Sequence, residues 1–339
     1  MKTRPVLLHL IDDTTAGGVM QVLNFLRSDP EMARTATHKV EKVKRGAIFS
    51  RLEQADVIVS HQTVSWSVLP SLLALRTRFA RTPLIHVEHS YTDAFVAHNV
   101  THKRRFICLL KLAYGFFDRV VSVSNGQANW MVANRLLHGE KLSTIQSCVA
   151  LDAFRSLPVP KNASRVFGAI GRLDDQKGFD ALIKAFRECS DPDIALHIIG
   201  EGAQEDALKF LAGDDSRIVF KGFQENTAAA LAPIDVVVMP SRWEAYGLVA
   251  IEALTAGRRL LCSNIDGLCD HEPLGAILFD AKNVLALKEL ILHEARFVRT
   301  DEQSVTGRMT LRLENRFREC WRHLLSEVGA HPSDAGTPT

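Results

Sequence analysis

Asp235 to Gly257 read DVVVMPSRWEAYGLVAIEALTAG. DVVVMPS is a short, β-branched apolar run suited to a buried parallel strand. RWEAYG is the loop at its C-terminal end. A helix then begins near Gly247, runs through Ala256 and stops at Gly257, a residue suited to a helix end. Two carboxylates punctuate this strand–loop–helix. Glu244 sits in the loop, and Glu252 lies about five residues into the helix, roughly 7.5 Å along its axis. The free amides at Gly247 and Leu248 point out of the helix N-terminus, where a phosphate is favoured. Carboxylates beside such a point are not phosphate ligands, but they accept hydrogen bonds from sugar hydroxyls. A generic α/β loop with surface glutamates gives the same spacing. Against that, Glu252 stands in LVAIEALTAG, an apolar context where a charge is costly without a partner.

The same rhythm extends in both directions. PVLLHLI, ADVIVSH, TPLIHVEHS and RVVSVS suit parallel strands in the first half, with helical patterns such as VMQVLNFL and WSVLPSLLALRTRF between them. RVFGAIGR, IALHIIGEG, RIVFKGF, DVVVMPS and RRLLCSNI follow in the second half, separated by FDALIKAFREC and AQEDALKFLA. This alternation predicts an α/β protein of two doubly wound domains, joined near LDAFRSLPVPKNASR, where prolines and polar residues break the pattern. Ligands of such sheets bind beyond the carboxyl ends of the strands, so strand-end residues carry the chemistry.

Composition sets limits. The 339 residues are 46% hydrophobic and 24% charged, enough for two globular cores. No apolar run reaches the roughly 20 residues of a membrane span, and the N-terminus lacks the small-residue cleavage site of a signal peptide. Six cysteines without a CxxC read as buried thiols in a reducing cytoplasm. Residues 1–150 carry 19 Lys and Arg against 11 Asp and Glu, a net of +8, and residues 151–339 carry 22 against 28, a net of −6. A basic half suggests an anionic partner or a solvated face. Its densest points are HKVEKVKR (His38–Arg45) and THKRRF (Thr101–Phe106). No recognition-helix or aromatic–basic pattern supports nucleic acid.

The strand ends hold two further candidates. After PVLLHLI, Gly17 and Gly18 open a helix; their amides suit an anion, although a Gly-Gly turn is often a turn alone. After RVFGAIG, Arg172 and Lys177 leave the strand end, and Gly178 precedes an amphipathic helix. Two cations five residues apart in such a turn both reach a diphosphate, Arg as a fork and Lys as a point charge. Surface cations on a loop are the plainer alternative. Asp174 and Asp175 beside an Arg read as a solvated turn, and no metal ligand set is visible.

GRLDDQKG followed by PSRWEAYGLVAIEALTAG, with glutamates at Glu244 and Glu252, resembles the family-4 retaining glycosyltransferases of the GT-B fold (glycosyl transferases group 1). The likeness runs nearly the whole chain and is strongest from Phe167 to about Gly267. It implies a GT-B architecture of two Rossmann-like domains facing across a cleft. An N-terminal acceptor-side domain would span residues 1–152 and a nucleotide-sugar domain residues 153–311. A terminal helix, 312–328, would pack back on the first domain, with a tail at 329–339.

The resemblance also implies roles. Glu252 binds the ribose, and Glu244 lies beside the transferred sugar. Arg172 and Lys177 hold the diphosphate, with Tyr246, Gly247 and Leu248 at the same loop. Gly17 and Gly18 close over the donor, and Gly202 (of GEG) and Phe223 (of KGF) flank the base. His89 lies near the reacting centre, in competition with His86 and with a structural role. Glu244, His89, Arg172 and Lys177 are thus the catalytic candidates. Where many members carry Asn-Gly-x-Asp, this chain has Ser147, Cys148 and Ala150, which leaves a hinge or acceptor role there open.

The function implied is transfer of a sugar from a UDP- or GDP-sugar to a glycan or lipid-linked acceptor in cell-surface polysaccharide or lipopolysaccharide synthesis. No cofactor and no metal are implied. The expected setting is cytoplasmic, peripheral at an anionic inner membrane face. A catalytically silent GT-B partner subunit and a nucleotide-sugar epimerase are the alternatives.

Overall fold

The computed structural model describes residues 4–14, 17–47, 52–160, 163–297 and 312–330. The chain divides into two compact units. Unit 1 runs to Ala150 and includes the C-terminal helix, and unit 2 spans Leu151–Arg312.

Unit 1 holds strands β1 (Val6–Ile11), β2 (Thr37–Lys42), β3 (Val57–Ser60), β4 (Leu84–Glu88), β5 (Arg119–Ser122) and β6 (Leu142–Thr144). They form one parallel sheet in the order β2-β1-β3-β4-β5-β6. Its helices are α1 (Gly18–Ser28), α2 (Pro30–Thr35), α3 (Leu69–Arg78), α4 (Asp93–Asn99), α5 (Lys103–Gly115) and α6 (Asn125–Ala133). Leu8, Leu10, Ile58 and Val120 pack with Leu109, Leu110 and Tyr114 of α5 in the core of one face. The period of two along each strand sends Leu7, His9 and Ile11 of β1 to the opposite face.

Unit 2 holds β7 (Val166–Ile170), β8 (Ala195–Ile199), β9 (Ile218–Phe220), β10 (Val236–Met239), β11 (Arg259–Ser263) and β12 (Ile277–Phe279), in the order β12-β11-β10-β7-β8-β9, again all parallel. Its helices are α7 (Asp152–Arg155), α8 (Phe179–Arg187), α9 (Glu205–Ala212), α10 (Thr227–Leu231), α11 (Leu248–Thr255) and α12 (Val284–Arg296). Phe167, Leu196, Val236 and Val238 meet Leu182, Ile183 and Phe186 of α8 and Ile291 of α12.

The last described helix, α13 (Leu313–Glu327), belongs with unit 1. Arg318 grips Asp29 with Nε at 3.1 Å and Nη2 at 2.6 Å. That carboxylate already caps α2 by accepting from the amides of Glu31 and Met32. Phe317 packs on Phe25, and Trp321 meets the ring of His9 edge-on. The buried face is Phe317, Trp321, Leu324 and Leu325, while Val328 falls beyond the helix end.

Three features depart from the sequence reading. HKVEKVKR, a dense basic point by composition, places Thr37–Lys42 in edge strand β2, whose pairing with β1 decides its structure. Strands β6 and β12, three residues each, are too short to show a pattern. Burial of the thiols holds for Cys148, Cys189 and Cys262, but Cys108 is exposed and Cys269 and Cys320 are half-buried. Among the described residues no helix is long and apolar enough to cross a membrane.

Candidate active site

In unit 2 the chain starts in the middle of the sheet at β7, winds outward through β8 and β9, then returns to β10 on the other side. Loops after β7 and β10 therefore diverge at the strand ends, the topological switch point where α/β sheets bind ligands. These loops are Gly171–Gly178 and Pro240–Gly247, the two stretches that carry the sequence candidates.

The loops are tied together at several points. The Arg242 amide donates to the Gln176 carbonyl at 2.7 Å, and the Gln176 amide group donates to the Trp243 carbonyl at 3.1 Å. Arg242 Nη2 lies 2.8 and 2.9 Å from the two carboxylate oxygens of Asp180, and Nη1 donates to the Asp175 carbonyl. Lys177 and Glu244 meet across this seam, Nζ to Oε2 at 2.5 Å, with both side chains largely buried. Arg172 remains mostly exposed, held by Gln176 at 3.0 Å and Asp174 at 3.3 Å.

Two glycines make these approaches possible. Gly247 caps α11 at φ 89°, a left-handed conformation, and a Cβ there would meet Leu268 at 2.9 Å. Gly202 lies on the backbone of the β7 loop, where a Cβ would come within 2.5 Å of the Leu173 carbonyl oxygen. Phe223 is exposed beyond β9, whereas Tyr246 is buried with its ring on His271.

Glu252 lies in α11, within a run of buried residues from Ala250 to Thr255. It is 3% exposed, and its Oε2 has no hydrogen-bond partner among the described residues. Burial pushes its pKa up to about 7. A buried carboxyl without a donor is costly, and hydroxyl groups of a ligand are donors that satisfy it. Gly247 and Leu248, at the N-terminus of the same helix, add a positive dipole end. The β7 loop and the β10 loop with its helix thus hold a helix N-terminus, two cations and two carboxyls.

Two family models match. Glycosyl transferases group 1 covers residues 153–293, and Glycosyltransferase Family 4 covers residues 22–153. The second half of the chain thus matches the glycosyl transferases group 1, and the first half the Glycosyltransferase Family 4. A 2-deoxystreptamine glucosyltransferase of Streptomyces kanamyceticus is 34% identical over 33% of this chain and 31% of that protein. The lipopolysaccharide core biosynthesis glycosyltransferase LpsE of Rhizobium meliloti is 34% identical over 35% of each. The alignments thus span about a third of these relatives' length. The crystal structure of Anabaena HepE in complex with UDP and glucose superposes with a TM-score of 0.69 at 17% identity, covering 96% of this chain and 99% of that one. That likeness gives the GT-B fold, two Rossmann-like units.

The remaining candidates belong to unit 1. Gly17 is the N-cap of α1, with extended backbone, and Gly18 is its first residue. His89 follows β4, and its Nε2 lies 2.8 Å from Nδ1 of His61. Burial lowers its pKa to about 4. His86, the competing histidine, lies inside β4 with Nε2 3.4 Å from Glu88. Glu88 also accepts from Tyr114 and from the amides of Ser90 and Tyr91. The two histidines are thus separated by place. His86 packs between Tyr114 and Phe117, and His89 stands at the strand end.

Residues not singled out in the sequence also shape the sites. Arg242 is the clamp between the two loops, visible in advance only as one more cation in PSRWEAYG. Asp266, at φ 40°, lies 3.3 Å from the Glu244 amide through its carboxylate. His9, His38 and His61 join His89 in a chain of hydrogen bonds.

Proposed function

We propose that this enzyme is a retaining glycosyltransferase that moves a sugar from a UDP- or GDP-sugar to a glycan or lipid-linked acceptor in cell-surface polysaccharide synthesis. The observation that carries it is the buried, unpartnered Glu252 carboxyl on the same helix as the free amides of Gly247 and Leu248. Glu252 accepts from the ribose hydroxyls of the donor. Glu244 accepts from hydroxyls of the transferred sugar. Lys177 and Arg172 face the diphosphate, and Gly202 and Phe223 flank the base. His89 serves the acceptor side. The relatives' names support this direction: one acts in lipopolysaccharide core biosynthesis, and HepE was crystallised with UDP and glucose.

In the reaction, the bond between the sugar's anomeric carbon and the phosphate oxygen breaks, and a bond from the acceptor hydroxyl to that carbon forms. The hydroxyl proton passes to the leaving phosphate on the same face of the ring, which retains configuration. Negative charge grows on the diphosphate as positive charge grows on the ring. Lys177, Arg172 and the α11 amides stabilise the first, and the carboxylate of Glu244 favours the second.

A lipid-linked acceptor is presented at a membrane, and unit 1 has a fitting surface. Lys103, Arg104 and Arg105 are exposed at the start of α5, with Arg105 stacked over the exposed Trp66 and Leu73 and Leu112 exposed on α3 and α5. Cations attract anionic lipid, and tryptophan favours the interfacial zone. The deciding test incubates enzyme with UDP- and GDP-sugars, with and without lipid-linked acceptors. Transfer needing both substrates, with the anomeric configuration kept, supports the reading. Turnover of donor alone makes it an epimerase, and no turnover with any pair makes it a silent subunit.

A further inference from the structure

Four histidines of unit 1 are joined ring to ring. His9 Nε2 lies 2.9 Å from His38 Nδ1, and His9 Nδ1 lies 2.9 Å from His61 Nε2. His61 Nδ1 then lies 2.8 Å from His89 Nε2. Ring centroids are 5.1–5.2 Å apart, with planes inclined by 24–27°.

Strand register explains the ladder. His38 of β2 pairs with Leu7 of β1, and His9 lies two residues beyond Leu7. His9 pairs with Val59 of β3, and His61 lies two residues beyond Val59. Ser60 pairs with His86, which brings His61 level with Val87 of β4, and His89 lies two residues beyond. A step of two keeps each histidine on the same face of the sheet. The row therefore runs diagonally across four neighbouring strands to the C-terminal edge, where ligands of such sheets bind.

Proton counting restricts the ladder. A neutral imidazole carries one hydrogen, and each of the three junctions needs one. Four hydrogens then leave a single one for the two outer nitrogens, His38 Nε2 and His89 Nδ1. Two arrangements exist, and they differ by a concerted shift of every hydrogen. Burial, the main cause, holds His38 and His89 at about 4 and His9 and His61 well below 6.5, so the ladder is neutral near pH 7. The ionisable groups that face it are Glu88, whose charge raises the affinity of His89 for a proton, and His86, which lowers it.

The far end favours one arrangement. His38 Nε2 and Trp321 Nε1 are both buried without a partner among the described residues. Both rings border His9, at 5.2 and 6.3 Å. An indole nitrogen only donates. A hydrogen on His38 Nε2 would leave a second unpaired buried donor around the His9 ring, whereas a bare nitrogen leaves an acceptor there.

We propose that this ladder fixes His89 as the tautomer with hydrogen on Nδ1, making it a hydrogen-bond donor to an oxygen of sugar or acceptor rather than a base, with His9, His38 and His61 as positioning residues. The donor role rests on the reading that His89 serves the acceptor side; the tautomer does not. It agrees with a reaction in which the acceptor proton goes to the leaving phosphate, since no second base is then needed.

The test is nitrogen-15 NMR of the full chain labelled at histidine rings, near pH 7 and without substrates. His89 should show a pyrrole-like Nδ1 and a pyridine-like Nε2. Trp321→Phe keeps an aromatic ring but removes the far donor. It should shift His89 toward the other tautomer and lower kcat about tenfold with KM unchanged, the worth of one hydrogen bond gained in the transition state. His61→Gln interrupts the ladder and should uncouple His89 from the Trp321 change. A bare His89 Nδ1 in the parent protein overturns the proposal, as does a His89 tautomer indifferent to Trp321→Phe. If the tautomer behaves as stated but no sugar is transferred to any acceptor, the transferase reading fails and the ladder stands.

Discussion

Glu252→Gln separates what the carboxyl costs the empty protein from what it gives the ligand complex. In the folded chain burial raises the Glu252 pKa from 4.5 to about 7. A raised carboxyl pKa contributes stability that is fully present below the unfolded value and is lost as pH rises through the folded one. Two and a half units at about 1.36 kcal/mol each make roughly 3 kcal/mol lost between pH 4.5 and pH 8. Glutamine has the same shape and no charge, so it escapes this loss. It carries a fixed penalty of about 1–3 kcal/mol for a poorly satisfied buried amide, at every pH. The diagnostic is therefore the change with pH. Relative to the parent, the variant should gain roughly 3 kcal/mol on going from pH 4.5 to pH 8, on the order of 6–12 °C in the melting of unit 2. Calorimetric melting at both pH values reads this directly.

The same substitution should weaken UDP or GDP binding about ten- to a hundredfold, through loss of hydrogen bonds to a charged acceptor. Because ribose hydroxyls favour the carboxylate, nucleotide binding to the parent near pH 7 should release a fraction of a proton. Titrations in buffers of different ionisation enthalpy detect it, and the release should vanish in Glu252→Gln. A stability difference that ignores pH, or undiminished nucleotide affinity in a folded variant, would refute the assignment.

Lys177→Ala should lower turnover by about a hundredfold or more by removing charge from the leaving diphosphate. EDTA should leave turnover intact, and activity that is abolished by EDTA and restored by magnesium would show that a metal carries that charge instead. Vesicle co-sedimentation should require anionic lipid and fall with salt, and Arg104→Glu with Arg105→Glu should reduce it. Equal binding to neutral vesicles would remove the electrostatic account. Unit 1 should also respond to acid in the sense opposite to Glu252. Histidine pKa values lowered from 6.5 to about 4 leave their stability intact above 6.5 and lose it as pH falls toward 4. Trp66, Trp130 and Trp321 lie in unit 1, so urea midpoints read by fluorescence at pH 7 and pH 4.5 should differ, and identical midpoints would contradict buried neutral histidines.

The strand–loop–helix around Glu244 and Glu252 was legible because its determinants are local. A β-branched run, a glycine able to take φ 89° and an alanine-rich helix each follow from adjacent residues. The apolar setting of Glu252 also showed in the sequence, since its neighbours in α11 are its burial. Contacts over long sequence separations were not legible. Lys177 and Glu244 are 67 positions apart, and nothing local indicates that they form an ion pair. Edge strand β2 was hidden by its charges, because its conformation comes from pairing with β1.

The histidine ladder shows the same limit and also how it is overcome. His9, His38, His61 and His89 share no motif, and each alone reads as a strand or strand-end histidine. They become one object only once register is known, because each lies two residues past the partner of the one before. Parallel register thus does for side chains across a sheet what the spacing of three or four does along a helix. It converts scattered positions into a row, and it gives His89 a hydrogen-bonding state set three strands away. A substitution at His38 or Trp321, far along the sheet, therefore acts on His89 without touching it. That coupling has a definite carrier: three hydrogen bonds and two allowed arrangements of four hydrogens.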